Sequence, residues 1–459
     1  MAVPRSFLPT NLVEEMTTDL LQPHPFYKTQ SPPSFGHDML QYFGFSKDYT
    51  NMNHGSYGSC PTPVLDATKP IAALAEANSD LFHRLSYMPM LVEARKKVAK
   101  LIGAQDHDEV VFVPNASHGV NTVLRNFIWE EGDVLISCNT TYGAVSRAVQ
   151  YLSDVPPHPS IELFTILFPT SRATILQNWK EHVKSVRAKN PNAKIVAVVD
   201  AIISNPGVHL PWEEMVKICR EENVWSLVDA AHSIGQEVGI DLAKADPDFW
   251  ISNCHKWLFA KRSAAILYVP KRNQHIIKTS FPTSHTYISP SQRDGKPNFV
   301  EQFEWNGTID FIPFLSVHGA LDFRAWLGGE EKINEYCHRL AKEGGKRLAE
   351  VMGTEVMDPT GEFTLSMTNV ALPMSSKVPF TDEINNKLKA KMLIERKIFG
   401  AHYVHNGRWW VRASAQVWSE IDDFEKLGKV YVDVCREIEL EVANEEAGKV
   451  KADTKGLPE

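Results

Sequence analysis

Lys256 is the residue of this sequence whose type and surroundings point most directly to covalent chemistry. It stands in Asp248-Phe-Trp-Ile-Ser-Asn-Cys-His-Lys-Trp-Leu-Phe259, with one apolar run before it and another after it. A lysine kept from water loses its proton more readily, and the free amine can attack a carbonyl carbon. The alternative is a lysine whose stem is buried while its ammonium group reaches the surface. Residues upstream help to decide between these two interpretations.

Three upstream features would serve such an amine. Ala116-Ser-His-Gly119 follows an apolar strand pattern and opens a helix, so its free N–H groups and the Ser117 hydroxyl suit a phosphate. Tyr142 places an aromatic ring at the start of a later helix. Asp229 ends the apolar run that begins at Val224, 27 positions before the lysine (256 minus 229). A buried acid at such a place needs a cationic partner, and a protonated ring nitrogen is one.

These are the parts that pyridoxal phosphate needs. The lysine forms a Schiff base with the cofactor, the acid keeps the pyridine nitrogen protonated, the aromatic ring stacks on it and the turn holds the phosphate. Each residue alone also has a structural explanation. Ser117 and Asp229 could cap helices, and His232 could be a satisfied structural histidine. The combination is far more specific than its members, so the sequence predicts a pyridoxal phosphate site.

Arg412 is a candidate for binding the substrate. It lies in Trp409-Trp-Val-Arg-Ala-Ser-Ala415, a strand pattern rich in tryptophan. Burying an arginine there is costly unless it meets an anion, which makes a carboxylate receptor plausible. An internal salt bridge is the alternative interpretation.

Strand and helix patterns alternate along much of the chain, which predicts an α/β fold with a mostly parallel sheet covered on both faces. Ligands in such sheets bind beyond the carboxyl ends of the strands, where the polar residues above lie. The strand patterns occur at 109–113, 134–137, 161–168, 194–200, 224–229, 248–251 and 264–269. We expect an N-terminal arm at 1–50, a large domain at 51–315, a connecting helix at 316–350, a small domain at 351–442 and a loose tail at 443–459.

Composition excludes several classes of protein. The 459 residues are 43% hydrophobic and 23% charged, with 48 basic against 56 acidic residues, so no nucleic-acid groove is expected. No apolar run is long enough for a membrane span. The six cysteines are scattered and predict reduced thiols without a metal site. We expect a cytoplasmic enzyme with a small-molecule substrate.

The motifs resemble those of a known family. Asp229-Ala-Ala-His232, followed by a strand and then Ser252-Asn-Cys-His-Lys256-Trp, is similar to the class V aminotransferase branch of fold-type I pyridoxal phosphate enzymes. That branch includes cysteine desulfurases and isopenicillin N epimerase-like proteins. The resemblance spans about residues 48–440, and Asn53-His-Gly-Ser-Tyr-Gly resembles the fungal members, hercynylcysteine sulfoxide lyases among them. It implies a large domain with a seven-stranded type of sheet and a smaller C-terminal α+β domain.

The resemblance also implies a role for each residue that matches the family's motifs. Lys256 is the Schiff-base lysine and proton shuttle, Asp229 binds the pyridine nitrogen, and Tyr142 lies over the ring. His232 and Asn205 lie near the ring hydroxyl. Thr308 reaches the phosphate of a neighbouring subunit, which implies a homodimer with shared sites. The remaining roles are phosphate binding by Ala116, Ser117, Asn253 and His255, and substrate binding by Asn53, His54, Gly55 and Arg412.

The activity implied is a C–S lyase that cleaves a cysteine conjugate or its sulfoxide. An epimerase or a ring-forming enzyme of the loline-alkaloid type is the alternative within the family. A cysteine desulfurase is disfavoured because Cys337 lies in a helical pattern, and a binding protein without cofactor is disfavoured by the intact lysine and acid. Two segments depart from the fungal lyase pattern and leave the substrate open: Ser263-Ala-Ala265 and Thr283-Ser-His-Thr-Tyr287.

Overall fold

The structure is a computed structural model that describes residues 20–293, 295 and 297–454, without the side chains of 446 and 448–454. The first 19 residues of the expected N-terminal arm and the last five of the expected tail lie outside the described residues. The described strands are β1 Thr50–Asn51, β2 Val110–Val113, β3 Val134–Cys138, β4 Ser160–Phe164, β5 Ile195–Asp200, β6 Trp225–Asp229, β7 Phe249–Ser252, β8 Ala265–Tyr268, β9 Met367–Ala371, β10 Ile398–Phe399, β11 Ala401–His405 and β12 Arg408–Ser414.

Seven of these described strands form one sheet in the order β2-β8-β7-β6-β5-β3-β4. All pairs are parallel except those made by β8, which is antiparallel to β2 and to β7. β2, β3, β5, β7 and β8 are buried along their whole length, as apolar runs in a sheet covered on both faces must be. The predicted α/β fold is confirmed. One strand is shorter than its pattern, since β4 ends at Phe164.

Helices cover both faces of this sheet and connect its strands. Arg172–Lys189 is a clear example: Ile175, Trp179, Val183 and Val186 form its buried stripe, and the Ser171 hydroxyl accepts the N–H of Thr174 at its start. Within the described residues, every helix is too short or too polar to span a bilayer. The described α-helices are Phe26–Thr29, His54–Tyr57, Thr62–Ala77, Ser79–Leu81, Tyr87–Leu101, Ala116–Asn126, Gly143–Asp154, Arg172–Lys189, Trp212–Glu221, Leu242–Ala245, Phe299–Glu304, Ile312–Leu327, Gly329–Met352, Asp382–Ala390 and Ile421–Thr454, with π-turns at Phe82–Ser86 and Lys391–Glu395.

The expected connecting helix at 316–350 is two helices in the structure. Ile312–Leu327 ends at Gly328, which has φ +111°, and Gly329–Met352 begins directly after it. A left-handed residue cannot continue an α-helix, and glycine adopts that conformation without a Cβ clash. The apolar periodicity on both sides of the break hid it in the sequence.

A smaller sheet forms the C-terminal part, with β9, β11 and β12 in the order β11-β12-β9 and both pairs antiparallel. The helices Gly329–Met352 and Ile421–Thr454 pack on it around Val370, Val411 and Phe424. The last helix runs into the segment expected to be a loose tail, so residues 443–454 are helical. β1 pairs in parallel with β10, which joins the segment before His54 to the C-terminal part.

Candidate active site

The carboxyl ends of the parallel strands bring the predicted residues to one edge of the large sheet. The helix that starts at Ala116 follows β2, and Tyr142 follows β3. Asp229 is the last residue of β6, and Lys256 lies in the turn after β7. This is the edge at which open α/β sheets bind ligands.

Lys256 directs its amine toward His232, and Nζ lies 3.1 Å from His232 Nε2. Burial, reinforced by the positive charge of Arg412, lowers the pKa of Lys256 to about 7, while the charge of Asp229 opposes the change. Near neutral pH a substantial fraction of the amine is therefore uncharged and nucleophilic. Lys256 is partly buried, which agrees with the desolvated lysine that the upstream residues favoured in the sequence.

Asp229 is buried and accepts the N–H of Ala231 through Oδ1 at 3.1 Å. Asp200, which the sequence interpretation missed, ends the neighbouring strand β5 in register with it. Burial and then the charge of Asp229 raise the pKa of Asp200, and burial also raises the pKa of Asp229. Asp200 Oδ2 accepts a hydrogen bond from Thr141 at 3.0 Å, which links this acid to the residue before Tyr142. The sequence carried a usable signal for Asp200, because Val-Val-Asp200 and Leu-Val-Asp229 end two apolar strand patterns in the same way.

The turn at the start of Ala116–Asn126 is held by side-chain amides. The Ala116 N–H donates to Asn253 Oδ1 at 2.9 Å, and the His118 N–H donates to Asn115 Oδ1 at 2.8 Å. Ala116 and Asn253, both predicted to hold a phosphate, thus bind each other. Ser117 keeps its N–H and its hydroxyl without hydrogen bonds among the described residues, so the free donors of this helix start are concentrated on Ser117.

His255 is anchored by one carbonyl group. Its backbone N–H and its ring Nδ1 both donate to Ala264 O, at 3.1 and 2.8 Å. Burial lowers the pKa of His255 to about 4. The Ala264 carbonyl follows a turn in which the exposed Ser263 has φ +74°. This left-handed conformation favours glycine. Ser263 belongs to one of the two segments that depart from the fungal lyase pattern.

We predict that Ser263→Gly stabilises the protein by about 0.5–1 kcal/mol. The substitution removes the Cβ clash of a left-handed residue, which exceeds the entropy that glycine adds to the unfolded chain. Urea unfolding gives the measurement. Ser185→Gly, at an exposed site inside Arg172–Lys189, is the control and should lower the free energy of unfolding. A loss of stability in Ser263→Gly would contradict the strain argued for this turn.

Arg412 is fully buried on β12, and its contacts are neutral oxygens. Nη1 donates to Ser204 O at 2.7 Å and to Ser204 Oγ at 3.3 Å, while Nη2 donates to Asn53 Oδ1 and to Ser56 Oγ, each at 2.8 Å. Burial lowers the pKa of Arg412 to about 10, so the guanidinium group remains charged at neutral pH. Within the described residues it has no salt bridge, and its Nε has no hydrogen-bond partner. The internal salt bridge weighed from the sequence is absent from this part of the chain.

Asn53 and the short helix His54–Tyr57 that follows it join Arg412 to the lysine turn. His54 is buried and its Nε2 donates to Lys256 O at 2.9 Å, while burial lowers the pKa of His54 to about 3. The Gly55 N–H donates to Ser414 Oγ at 3.2 Å. The three residues predicted to bind substrate, Asn53, His54 and Gly55, therefore lie between Arg412 and Lys256.

Gly207 makes room for the Arg412 side chain. A Cβ at this position would lie 2.7 Å from Arg412 Cδ, which is closer than side chains pack. The Gly207 N–H donates to Asn369 Oδ1 at 2.8 Å, and Tyr403 Oη donates to the same oxygen at 2.9 Å. Gly207, Asn369 and Tyr403 were missed from the sequence because their contacts cross between segments far apart in the chain.

Three predicted residues are not tied into this network. Tyr142 is half exposed at the start of Gly143–Asp154, next to the bonded Thr141. Asn205 is exposed beside Ser204, and its side chain makes no hydrogen bond with the described residues. Thr308 is exposed after the helix Phe299–Glu304, without a hydrogen bond to any of the site residues above. Their predicted roles remain predictions.

Comparison with known proteins decides the family. The model of the aminotransferase class-V family matches residues 58–399. The chain belongs to the class V aminotransferase family. An L-cysteine desulfhydrase-like protein of Epichloe uncinata is 34% identical to it over 442 residues, which cover 88% of this chain and 96% of the relative. The hercynylcysteine sulfoxide lyase of Schizosaccharomyces pombe is 30% identical over 410 residues, covering 87% of this chain and 98% of the lyase.

Solved structures share the fold of this class V enzyme. A variant of the lyase C-DES, with glycine covalently linked to its pyridoxal phosphate cofactor, superposes with a TM-score of 0.70 at 16% identity. The match covers 86% of this chain and 99% of that chain. The predicted family and the fold-type I architecture are both confirmed.

Pyridoxal phosphate is the cofactor of this class V enzyme, and the described residues fit it. Ser117 offers unused donors at a helix start for the phosphate, and Lys256 offers a partly uncharged amine to the aldehyde carbon. Asp229 offers a buried acid at the end of β6 for the ring nitrogen.

Proposed function

We propose that the protein is a C–S lyase that cleaves an S-substituted cysteine or its sulfoxide to a thiol or sulfenate, pyruvate and ammonia. The observation that carries the proposal is the buried Arg412, which is charged, held by neutral oxygens, and close enough for its charge to act on Lys256. A buried guanidinium group without an acidic partner is a receptor for a carboxylate. The substrate is thus an amino acid held by its α-carboxylate with Cα near Nζ.

Bound pyridoxal phosphate supplies the electron sink that stabilises negative charge at the substrate's α-carbon. Lys256 would hold the cofactor through Nζ, and its free amine would remove the α-proton of the substrate. The bond from Cβ to sulfur then breaks with its electron pair leaving on sulfur. Water converts the remaining three-carbon fragment to pyruvate and ammonia. Asp229 would bind the ring nitrogen, and Ser117, Asn253 and His255 would hold the phosphate.

The cysteines support elimination over desulfuration. A desulfurase needs a reachable thiol to accept sulfur, and of the six cysteines five are buried. Cys337 lies inside Gly329–Met352, where its Sγ faces Gln416 Oε1 at 3.7 Å, and burial raises its pKa to about 12. All six are free thiols, which also supports a reducing, cytoplasmic location.

The test is product analysis with purified protein and added pyridoxal phosphate. Pyruvate and a thiol or sulfenate from a panel of S-alkyl cysteines and their sulfoxides are the expected products, and none should form with Lys256→Ala. A product that retains the amino nitrogen in a new ring would support the ring-forming alternative. Exchange of the α-proton with solvent deuterium without loss of sulfur would support an epimerase. Either outcome without pyruvate would overturn the lyase proposal.

We further propose that a second copy of the chain completes each site. Thr308 is exposed, and its side chain makes no hydrogen bond with the described residues of its own chain. Ile309 and Tyr142 expose apolar surface. In the family that this chain resembles, the matching threonine reaches across a homodimer to the phosphate. Such a contact explains why an exposed loop carries a predicted site residue.

Mixed dimers test this arrangement. Lys256→Ala and Thr308→Asp chains are each expected to be nearly inactive. In a random mixture half of the dimers contain one chain of each variant. Each of these mixed dimers has one intact site, in which Lys256 comes from one chain and Thr308 from the other, so about a quarter of all sites should be active. No recovery in dimers confirmed by sedimentation would show that Thr308 acts within its own subunit or not at all.

A further inference from the structure

Trp257, which follows the lysine, is hydrogen-bonded to the histidine that contacts it. Its Nε1 donates to His232 Nδ1 at 3.2 Å, and His232 Nε2 lies 3.1 Å from Lys256 Nζ. Both rings are buried, and the indole packs against Ile202 and Met367. Indole, imidazole and amine thus form a chain of three groups.

The chemistry of the indole fixes the protons along this chain. An indole N–H can only donate, so His232 Nδ1 must accept and carries no proton. A neutral imidazole then holds its single proton on Nε2, which faces Nζ. For Nε2–H to donate, Nζ must present a lone pair, which only an uncharged amine has.

The surrounding charges agree with this assignment. Burial, followed by the charges of Lys256 and Arg412, holds the pKa of His232 well below its usual value, so a second proton on its ring is disfavoured. His54 and His255, the other titratable rings that act on it, also have lowered pKa values because they are buried. Asp229 alone among these groups favours a charged Lys256, and the pKa of the lysine is still lowered to about 7.

We infer that Trp257 is a positioning residue that holds His232 in its Nε2–H form and thereby keeps Lys256 as a free amine. Without the indole donor, the imidazole can place its proton on Nδ1 and offer Nε2 as an acceptor to an ammonium group. The lysine would then keep its proton more strongly. This inference goes beyond the proposed lyase reaction, because it does not depend on which substrate the enzyme cleaves.

Competitive labelling tests it on the full-length chain freed of cofactor. The chain is treated with acetic anhydride across a pH series, and mass spectrometry of the Lys256 peptide gives the midpoint at which the amine becomes reactive. For the wild type the midpoint is expected near pH 7. Trp257→Phe should raise it by about one unit, which lowers labelling at pH 7 about fivefold.

A matched control is present on the preceding strand. Trp250 is a buried tryptophan of β7 whose Nε1 has no hydrogen-bond partner in the described residues, so Trp250→Phe should leave the midpoint unchanged. A second variant carries 3-benzothienylalanine at position 257, which keeps the ring shape and lacks the N–H. This variant should shift the midpoint as Trp257→Phe does, and it replaces Trp257→Phe in the test if the phenylalanine variant does not fold. An unchanged midpoint in both variants would show that Trp257 only fills space. The labelling uses no substrate, so its outcome is independent of the lyase assay.

Discussion

Lys256→Ala is expected to reduce turnover by about 10⁴-fold or more and to leave pyridoxal phosphate without its covalent attachment. The variant removes the amine that is proposed to join the cofactor and to move the α-proton, and within the described residues no other lysine amine is hydrogen-bonded to His232. The measurements are the rate of pyruvate release and the visible absorbance that the attached cofactor gives the wild type. The absorbance band should vanish after dialysis of the variant.

Lys261→Ala is the matched control, since this lysine lies five positions on and only its backbone N–H is bound, to Ser316 Oγ at 2.9 Å. It should keep both the absorbance band and the activity. If the Lys256→Ala protein kept the band after dialysis, the cofactor would be attached elsewhere. If the wild type remained colourless with added pyridoxal phosphate, the enzyme assignment itself would be wrong.

Arg412→Lys is expected to lower kcat/KM by about 10²–10³-fold, equivalent to about 3–4 kcal/mol. The change keeps one positive charge but loses the planar pair of donors, and lysine cannot replace contacts to Ser204 and Asn53 simultaneously. The decisive measurement compares an S-substituted cysteine with its methyl ester. The wild type should prefer the acid strongly, and the variant should lose most of that preference.

Arg408→Ala provides the control on the same strand, because Arg408 is partly exposed at the start of β12 and pairs with Glu355. It should leave the preference for the acid unchanged. If Arg412→Lys slowed the acid and the ester by the same factor, the arginine would be a structural residue that joins Asn53 to Ser204, and the carboxylate would bind elsewhere.

The succession of strands and helices along the chain, and the sheet edge at which ligands were expected, could be predicted because both depend on local patterns. Apolar runs ending in Asp229 and preceding Lys256 mark the carboxyl ends of parallel strands, and the turn at Ser117 marks a helix start. The break at Gly328 was missed although the Gly328-Gly329 pair is a turn signal, because apolar periodicity continues on both sides of it. Trp257 was visible only as an apolar neighbour, since its hydrogen bond to His232 depends on how two loops meet.

Other site residues were missed for the same reason. Asp200 is distinguished from any acid that ends a strand only by its pairing with Asp229 across β5 and β6. Asn369 binds Gly207 across 162 positions of the chain, and Tyr403 donates to the same Asn369 oxygen. Such contacts leave no periodic signal, so the residues that support a site are harder to predict than those that carry its chemistry.

The pairing of β1 with β10 attaches one part of the site to the C-terminal sheet. Thr50–Asn51 is hydrogen-bonded to Ile398–Phe399, and the Ser414 N–H donates to Met52 O at 2.8 Å, so the loop that follows is attached to the C-terminal sheet. Asn53 and Arg412 therefore belong to one rigid unit, although they are 359 positions apart. A hinge motion between the large sheet and the C-terminal sheet would therefore move Asn53 and Arg412, the proposed carboxylate receptor, together. Such a motion would have to break the contact of Arg412 to Ser204, the hydrogen bonds between Gly207 and Asn369, and the contact of His54 to the lysine turn.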